Sequence, residues 1–351
     1  MDRFYYVQVG AVGRGLSNQL GYIISGIMQA RLQGKRFVVL SEFYRDFEQS
    51  MPCPISEIID LKALNLYTST FGVYVIDETL LTYKILSVKY GARNSFNDIT
   101  DIIKKRYTSS NKLLIPRDVD FNGICGDPLE GVAKTIFIKY EVNGISDTVI
   151  YPERPADDIV FDVSKRFGME ALYWIALYDV STYDEILSHI QFTEHFFGEK
   201  PSMPAVMNVI HIRDDDDAIN FWGNINSMAP FDYREALTAK YIELIDKHFD
   251  KEIPVLVLCY NLESPVVKHL LNNGYFIFHN VKHPENGRET NAILDLVRAK
   301  ESNGTLICNI NPYNYHGSSF SYFLWKQMSA TSTKICIDLD EINHPEYVIK
   351  A

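Results

Sequence analysis

The segment Val-Met-Asn-Val-Ile-His-Ile-Arg-Asp-Asp-Asp-Asp, residues 206–217, decides the fold of this chain. Its apolar, β-branched first part predicts a buried strand, which ends at His211, Arg213 and four aspartates. Open α/β sheets present their ligand-binding residues at this carboxyl end of a strand. The segment therefore predicts either a ligand site at Arg213 or a solvated acidic loop that Arg213 partly neutralises. This acidic run consists of Asp214, Asp215, Asp216 and Asp217.

Strand-like and helix-like stretches alternate after this segment. Alternation with short links is typical of a parallel, Rossmann-like sheet. The predicted strands are 255–260, 275–279 and 305–309. The predicted helices are 234–249, 265–272, 291–301 and 319–328.

The amino-terminal half opens with a second α/β signal. A predicted strand at 4–9, a glycine-punctuated turn at 10–19, a helix at 20–32 and a strand at 36–40 form a β-loop-α-β unit. At 351 residues the chain is long enough for two domains. The glycine- and proline-containing segment 198–204 predicts their junction, which divides the chain into 1–200 and 201–351.

Composition excludes some classes of protein. Hydrophobic residues make up 46% of the chain and charged residues 23%, which is typical of a globular protein and not of a disordered one. The formal net charge of -11 repels phosphates, and no basic cluster offsets it, so nucleic acid is not an expected partner. An arginine and backbone amides are still able to bind one nucleotide-sized anion locally.

Cysteine usage and the amino terminus predict the compartment. The five cysteines are odd in number and dispersed, which is typical of reduced thiols. The first residues lack the order of a signal peptide, and no apolar run has the length of a membrane span. We therefore expect a cytoplasmic protein without a membrane span.

Three blocks of residues, in order along the chain, resemble one enzyme family. They are Gly15-Leu-Ser-Asn18-Gln19 preceded by Gly13-Arg14, then His211-Ile-Arg213, and finally Ala292-Ile-Leu-Asp295-Leu followed by Ser318-Ser319-Phe320-Ser321. They are similar to the G-x-L-G-N-Q, H-x-R, D-L and S-S-F-S elements of the α1,2-fucosyltransferase and protein O-fucosyltransferase superfamily. Asp214 stands where many relatives have a second arginine, and Gly317 where they have asparagine.

The resemblance implies a fold and an activity. The fold is an α/β arrangement called GT-B, with two Rossmann-like domains facing a cleft. The first would be the acceptor-side domain and the second the nucleotide-sugar-binding domain. The activity is an inverting, metal-independent transfer of fucose or a related deoxysugar from a GDP-sugar to a glycan hydroxyl. The GDP-sugar is a co-substrate, and no cofactor is expected.

The resemblance also assigns roles to residues. Arg213 would stabilise the charge that develops on the leaving diphosphate, a task that suits its planar fork. Arg14, Asn18, His211 and Asp295 would contact the donor, the last at its guanine edge. The same diphosphate would bind at the start of the last helix, through Gly317, Ser318, Ser319 and Phe320.

The remaining role is that of a general base that accepts the proton of the acceptor hydroxyl. Glu42 and Asp46, just beyond the second predicted strand, are the candidates. Each site residue also has a plain structural interpretation. His211 would be a hydrogen-bonded core residue, Ser318 a helix cap and Asp295 a solvated side chain.

Two other functions stay open. Asp-x-Asp after a strand is the metal motif of GT-A glycosyltransferases, in which carboxylates and a diphosphate hold Mn²⁺ or Mg²⁺, and the acidic run contains it. The absence of the second arginine favours a non-catalytic GT-B descendant that binds a nucleotide or a glycan. Retention of Arg213 and of the serine loop, Ser318 to Ser321, favours the enzyme.

Overall fold

The computed structural model describes residues 3–11, 13–46, 48–109, 112–162, 179–193, 204, 206–280 and 287–350. Two compact units divide the chain. The first unit comprises Met1–Gly10, Gly21–Phe43 and Cys53–Gln191. The second unit comprises Ala11–Leu20, Tyr44–Pro52 and Phe192–Ala351. The junction predicted at 198–204 lies, except for Pro204, outside the described residues.

Both units contain strands and helices. The strands are β1 (Phe4–Val7), β2 (Phe37–Leu40), β3 (Phe43–Tyr44), β4 (Pro52–Cys53), β5 (Tyr74–Asp77), β6 (Tyr83–Ala92), β7 (Ser95–Asp98), β8 (Thr108–Ser109), β9 (Lys112–Ile115), β10 (Thr135–Val142), β11 (Ile145–Pro152), β12 (Ile159–Asp162), β13 (Asn208–Ile212), β14 (Val255–Cys259), β15 (Ile277–Phe278), β16 (Leu306–Cys308), β17 (Lys334–Cys336) and β18 (Tyr347–Ile349). The α-helices are α1 (Leu16–Leu32), α2 (Ile55–Ile58), α3 (Leu61–Thr68), α4 (Thr100–Tyr107), α5 (Phe121–Cys125), α6 (Val180–Ser188), α7 (Asp216–Ile225), α8 (Pro230–His248), α9 (Pro265–Asn272), α10 (Arg288–Lys300) and α11 (Ser319–Gln327). Among the described helices, none has the length and apolar content that crossing a membrane requires.

The first unit contains both strands of the predicted β-loop-α-β element and its helix from Gly21 onward, whereas its turn belongs to the second unit. β1, β2 and β5 pair in parallel, and β10 pairs antiparallel with both β6 and β11. Aromatic and β-branched side chains from both sheets form one core, which includes Phe4, Phe37 and Tyr140. The prediction of the element is confirmed, but α1 begins at Leu16 rather than at residue 20.

The second unit is the Rossmann-like sheet that the alternating pattern predicts. Its described strands lie in the order β15-β14-β13-β16-β17-β18, and all neighbours pair in parallel except β17 and β18. β13 lies inside the sheet and is buried along its whole length. Parallel strands covered by helices on both faces are continuously apolar; β14 fits that rule, whereas β13 carries the buried polar residues Asn208 and His211. The predicted α/β class is therefore confirmed.

The acidic run starts a helix, so the prediction of a solvated acidic loop is wrong. Asp215 caps α7 by accepting from the amide of Ala218 at 3.1 Å, and Asp216 and Asp217 form the first turn of that helix. Aspartate is a favoured N-cap residue, and acidic side chains in a first turn interact favourably with the helix dipole. The run therefore ends the strand and starts a helix, which the apolar spacing of the sequence did not predict.

Helix α1 lies close against β1 at a glycine. A Cβ atom at Gly26 would lie 2.3 Å from Cγ2 of Val7, below any real carbon contact. Gly223 in α7 differs, because its nearest neighbour, the carbonyl oxygen of Met228, would be 3.4 Å from a Cβ. Only the first of these two helix glycines is required for packing.

We expect Gly26→Ala to lower the free energy of unfolding by roughly 1–3 kcal/mol, because overpacking outweighs the gain in helix propensity. The control Gly223→Ala should be neutral or raise it by up to about 1 kcal/mol. Urea unfolding measures both, and Val7→Ala in the Gly26→Ala background should restore part of the loss. Equal effects of the two glycine substitutions would show that close packing at Gly26 is not the constraint.

Candidate active site

The carboxyl ends of β13 and β16 are joined by buried hydrogen bonds. Asn309, directly after β16, donates from Nδ2 to the carbonyl of His211 at 2.7 Å. The hydroxyl of Tyr241 donates to Oδ1 of Asn309 at 2.6 Å and accepts from the amide of Arg213 at 3.0 Å. Backbone polar groups on both sides of Ile212 thus have buried partners, and the position at which Arg213 leaves the sheet is fixed.

The side chain of His211 contacts the serine loop. Its Nδ1 lies 2.7 Å from Oγ of Ser321, and its ring lies 5.0 Å from that of Phe320. Oγ of Ser321 also accepts from the amide of Asn309 at 2.9 Å, which favours donation of the hydroxyl proton to Nδ1 and leaves the histidine proton on Nε2. Burial, assisted by Arg213, lowers the pKa of His211 to about 3. His211 is therefore a neutral donor, and the two sequence motifs meet in space.

The serine loop is held against β16 at a glycine. Gly317 has a φ of 130°, and a Cβ there would lie 2.5 Å from the carbonyl oxygen of Asn309. The amide of Ser318 donates to that same carbonyl at 2.8 Å, so no residue with a Cβ, asparagine included, has room here. Ser318 is buried at the start of α11 but makes no capping hydrogen bond with its side chain. Ser318 therefore stands at the N-cap position without the side-chain hydrogen bond that a simple helix cap makes.

The guanidinium of Arg213 is held by two aspartates. Nη1 lies 2.8 Å from Oδ2 of Asp215, and Nη2 lies 3.3 Å from Oδ2 of Asp217. Burial, with Asp217 nearby, raises the pKa of Asp215 to about 6. The Asp215 side chain is 14% exposed and that of Asp217 78%, so Asp217 is the partner that an incoming anion displaces more readily.

The other two aspartates of the run have different partners. Asp214 accepts from the hydroxyl of Ser264 at 2.5 Å, and Asp216 pairs with Arg234 at 2.6 Å. Within the described residues, no group of three or more histidine, cysteine, aspartate and glutamate side chains is arranged to hold a metal ion. The four carboxylates serve as a cap and as ion-pair and hydrogen-bond acceptors, so the run is accounted for by protein contacts.

Arg14 and Asn18 belong to the same unit as Arg213. Asn18 is exposed in the first turn of α1. The side chain of Gln19 donates to the carbonyls of Arg14 at 3.0 Å and Tyr44 at 2.9 Å, and it accepts from the amide of Tyr44 at 2.8 Å. Gln19 therefore fixes the glycine turn to the segment Tyr44–Pro52.

The two candidate bases differ in their surroundings. Oδ1 of Asp46 accepts from the amides of Glu48 and Gln49, both at 2.9 Å, and Oδ2 accepts from the amide of Arg288 at 3.3 Å. Asp46 is buried, so its carboxylate is a structural acceptor. Glu42 lies in the first unit and is exposed.

Asp295 lies on α10 and is half-buried, and its Oδ1 accepts from the side-chain amide of Asn280. Three residues of this region were missed from the sequence: Tyr241, Glu289 and Asn309. Asn309 is the last residue of a predicted strand, so the rule that places ligand residues at carboxyl ends of strands was able to find it. Tyr241 and Glu289 lie on helices and carry no such signal.

Comparison with known proteins gives structural matches only. No family model and no curated protein sequence matches the chain. Fucosyltransferase NodZ from Bradyrhizobium is 12% identical, with a TM-score of 0.48 and coverage of 100% of this chain and 99% of that chain. NodZ α-1,6-fucosyltransferase soaked with GDP-fucose is 13% identical at the same TM-score of 0.48 and the same coverage, 100% and 99%.

POFUT1 in complex with GDP-fucose is 10% identical, with a TM-score of 0.45 and coverage of 95% of this chain and 98% of that chain. At this identity and TM-score the likeness says nothing about the residues of the site, whose function rests on their own chemistry. These three solved structures are fucosyltransferases.

Proposed function

We propose that the protein is an inverting GT-B glycosyltransferase that transfers fucose or a related deoxysugar from a GDP-sugar to a glycan hydroxyl. The observation that carries this proposal is the contact between His211 and Ser321. It joins the end of the strand that precedes Arg213 to the first turn of a helix whose N-cap serine makes no side-chain capping bond, which supports a shared phosphate site. An arginine fork and the amides of a helix start are the groups that bind a diphosphate.

The chemistry follows from the charge of the leaving group. The oxygen of the acceptor hydroxyl bonds to the anomeric carbon, and the bond from that carbon to the diphosphate breaks. The electron pair goes to a β-phosphate oxygen, where negative charge develops. Arg213 and the first amides of α11, at Ser319 and Phe320, stabilise that charge, with Ser318 as an additional donor. Because the charge is greater in the transition state than in the bound donor, these contacts accelerate the reaction.

The nucleotide is bound by the remaining donor-site residues. Neutral His211 donates from Nε2, and the half-buried carboxylate of Asp295 accepts from the guanine edge. Arg14 and Asn18 contact the diphosphate from the glycine turn. We assign the general base to Glu42, because the Asp46 carboxylate is buried and already accepts from three backbone amides.

Arg213→Ala should lower kcat for the GDP-sugar by about 10²–10³-fold, because it removes a cation from the developing charge. The kcat of Arg213→Lys should lie between those of Arg213→Ala and the wild type, since lysine keeps the charge and lacks the planar fork of arginine. Turnover of GDP-fucose is measured as release of GDP, with and without a panel of glycan acceptors. Arg234→Ala, which changes the arginine paired with Asp216, is the matched control and should retain full activity.

Retained turnover in Arg213→Ala would exclude this mechanism. Binding of GDP without turnover of any GDP-sugar would instead identify a non-catalytic descendant. Titration with UDP and dTDP tests whether the site selects guanine.

Asp217→Asn should bind GDP up to about fivefold more tightly, because an exposed ion pair worth roughly 0.2–1 kcal/mol no longer competes with the phosphates. The gain should shrink at high salt. Asp216→Asn removes the same charge one residue away, from an aspartate paired with Arg234 rather than Arg213. Isothermal titration calorimetry compares them, and equal gains would show a general charge effect instead of competition at Arg213.

Glu42→Gln should reduce kcat while leaving the affinity for GDP unchanged, because a general base acts on the acceptor and not on the nucleotide. Asp46→Asn should instead lower the free energy of unfolding, since Asp46 binds three backbone amides. Loss of GDP affinity in Glu42→Gln would contradict the assignment.

A further inference from the structure

Glu289 is a buried acid that the proposed reaction does not use. It is the second residue of α10 and only 3% exposed. Its Oε2 accepts from the amide of Leu16, the first residue of α1. A Cβ atom at the neighbouring Gly15 would lie 3.6 Å from that same oxygen. The carboxyl group therefore lies directly against the glycine turn, and both belong to the second unit.

The backbone around Glu289 fixes its position. The amide of Glu289 donates to the carbonyl of Arg45 at 2.7 Å, and the amide of Arg288 donates to Asp46. Gly287 has a φ of 79°, and a Cβ there would lie 2.6 Å from the Arg45 carbonyl oxygen. Because the start of α10 is held in this way, Glu289 has a set place beneath the turn.

The ionised carboxylate at this position costs stability. Oε1 has no hydrogen-bond partner among the described residues, and the nearest ion-pair atom is Nε of Arg288, at 3.8 Å. Burial raises the pKa of Glu289 to about 7; Asp46 and Glu48 also raise it, while the Leu16 amide and Arg288 lower it. The only charged side chain of the turn itself is Arg14. A neutral glutamine would also accept from Leu16, so the hydrogen bond alone does not require an acid.

We propose that Glu289 is a positioning residue that holds the glycine turn so that Arg14 and Asn18 face the donor diphosphate. The inference rests on the proposed function. The carboxylate occupies the anion position at the start of α1, so the donor is contacted there by side chains rather than by the Leu16 amide. An ionised acceptor binds an amide more strongly than a neutral one, so the turn is held more firmly above pH 7 than below it.

The ionisation of Glu289 has the opposite effect on the stability of the fold. Between about pH 4.5 and 7 the folded protein keeps a proton that the unfolded chain has released, so this group lowers the free energy of unfolding as the pH rises. Glu289→Gln should therefore be at least as stable as the wild type at pH 8. If Glu289 served only to stabilise the fold, Glu289→Gln would be less stable than the wild type at pH 8.

The test is GDP affinity by calorimetry between pH 6 and 8. The ratio of the dissociation constant of Glu289→Gln to that of the wild type should rise from near one at pH 6 to about tenfold at pH 8. The titration of GDP itself cancels in this ratio. Glu263→Gln, on an exposed glutamate of the same unit, is the control and should give a ratio near one throughout.

A flat ratio for Glu289→Gln, with the wild type binding GDP, would overturn the role of Glu289. Absence of GDP binding by the wild type at every pH would overturn the proposed function instead. Hydrogen exchange tests the contact without any ligand: exchange at the Leu16 amide should accelerate in Glu289→Ala, and unchanged protection there would also overturn the proposal.

Discussion

The candidate site depends on the hydrogen bonds made by the side-chain amide of Asn309. This side chain donates a hydrogen bond to the carbonyl of His211 and accepts one from the hydroxyl of Tyr241. The same hydroxyl accepts a hydrogen bond from the amide of Arg213. The bonds of Asn309 to His211 and Tyr241 are buried where water does not replace a lost partner, and an unpaired buried donor or acceptor costs about 1–3 kcal/mol. The bonds therefore hold two parallel strand ends in one register, and the direction in which Arg213 emerges follows from that register.

Several carboxylates of the second unit pair with Arg213 or with backbone amides. Asp215 and Asp217 hold the guanidinium of Arg213, while Asp46 and Glu289 bind backbone amides of neighbouring segments. Carboxylates thus occupy positions that an external anion would otherwise take. In the proposed mechanism a diphosphate replaces Asp217, which is mostly exposed, at Arg213, whereas Asp215 also caps α7 and stays in place.

Local rules account for some details that the periodicity of the sequence misses. The acidic run reads as a solvated loop when only apolar spacing is considered, yet it contains an N-cap aspartate and an acidic first turn, both of which are helix-start signals. Position 317 requires glycine because the backbone passes too close to Asn309 for a Cβ. In both cases a backbone requirement explains the residue.

The sequence by itself determined the α/β class and most strands of the parallel sheet, whereas the contact between His211 and Ser321 is tertiary. The class and the strands depend on hydrophobic periodicity and on strand ends, which are local and visible in one dimension. Only the tertiary structure decided that Ala11–Leu20 and Tyr44–Pro52 belong to the second unit. It also decided that Asp46 is a structural acceptor and that Glu289 contacts Leu16, 273 residues away. A hydrogen bond across such a separation is set by how the chain packs, and no local pattern of residues encodes it.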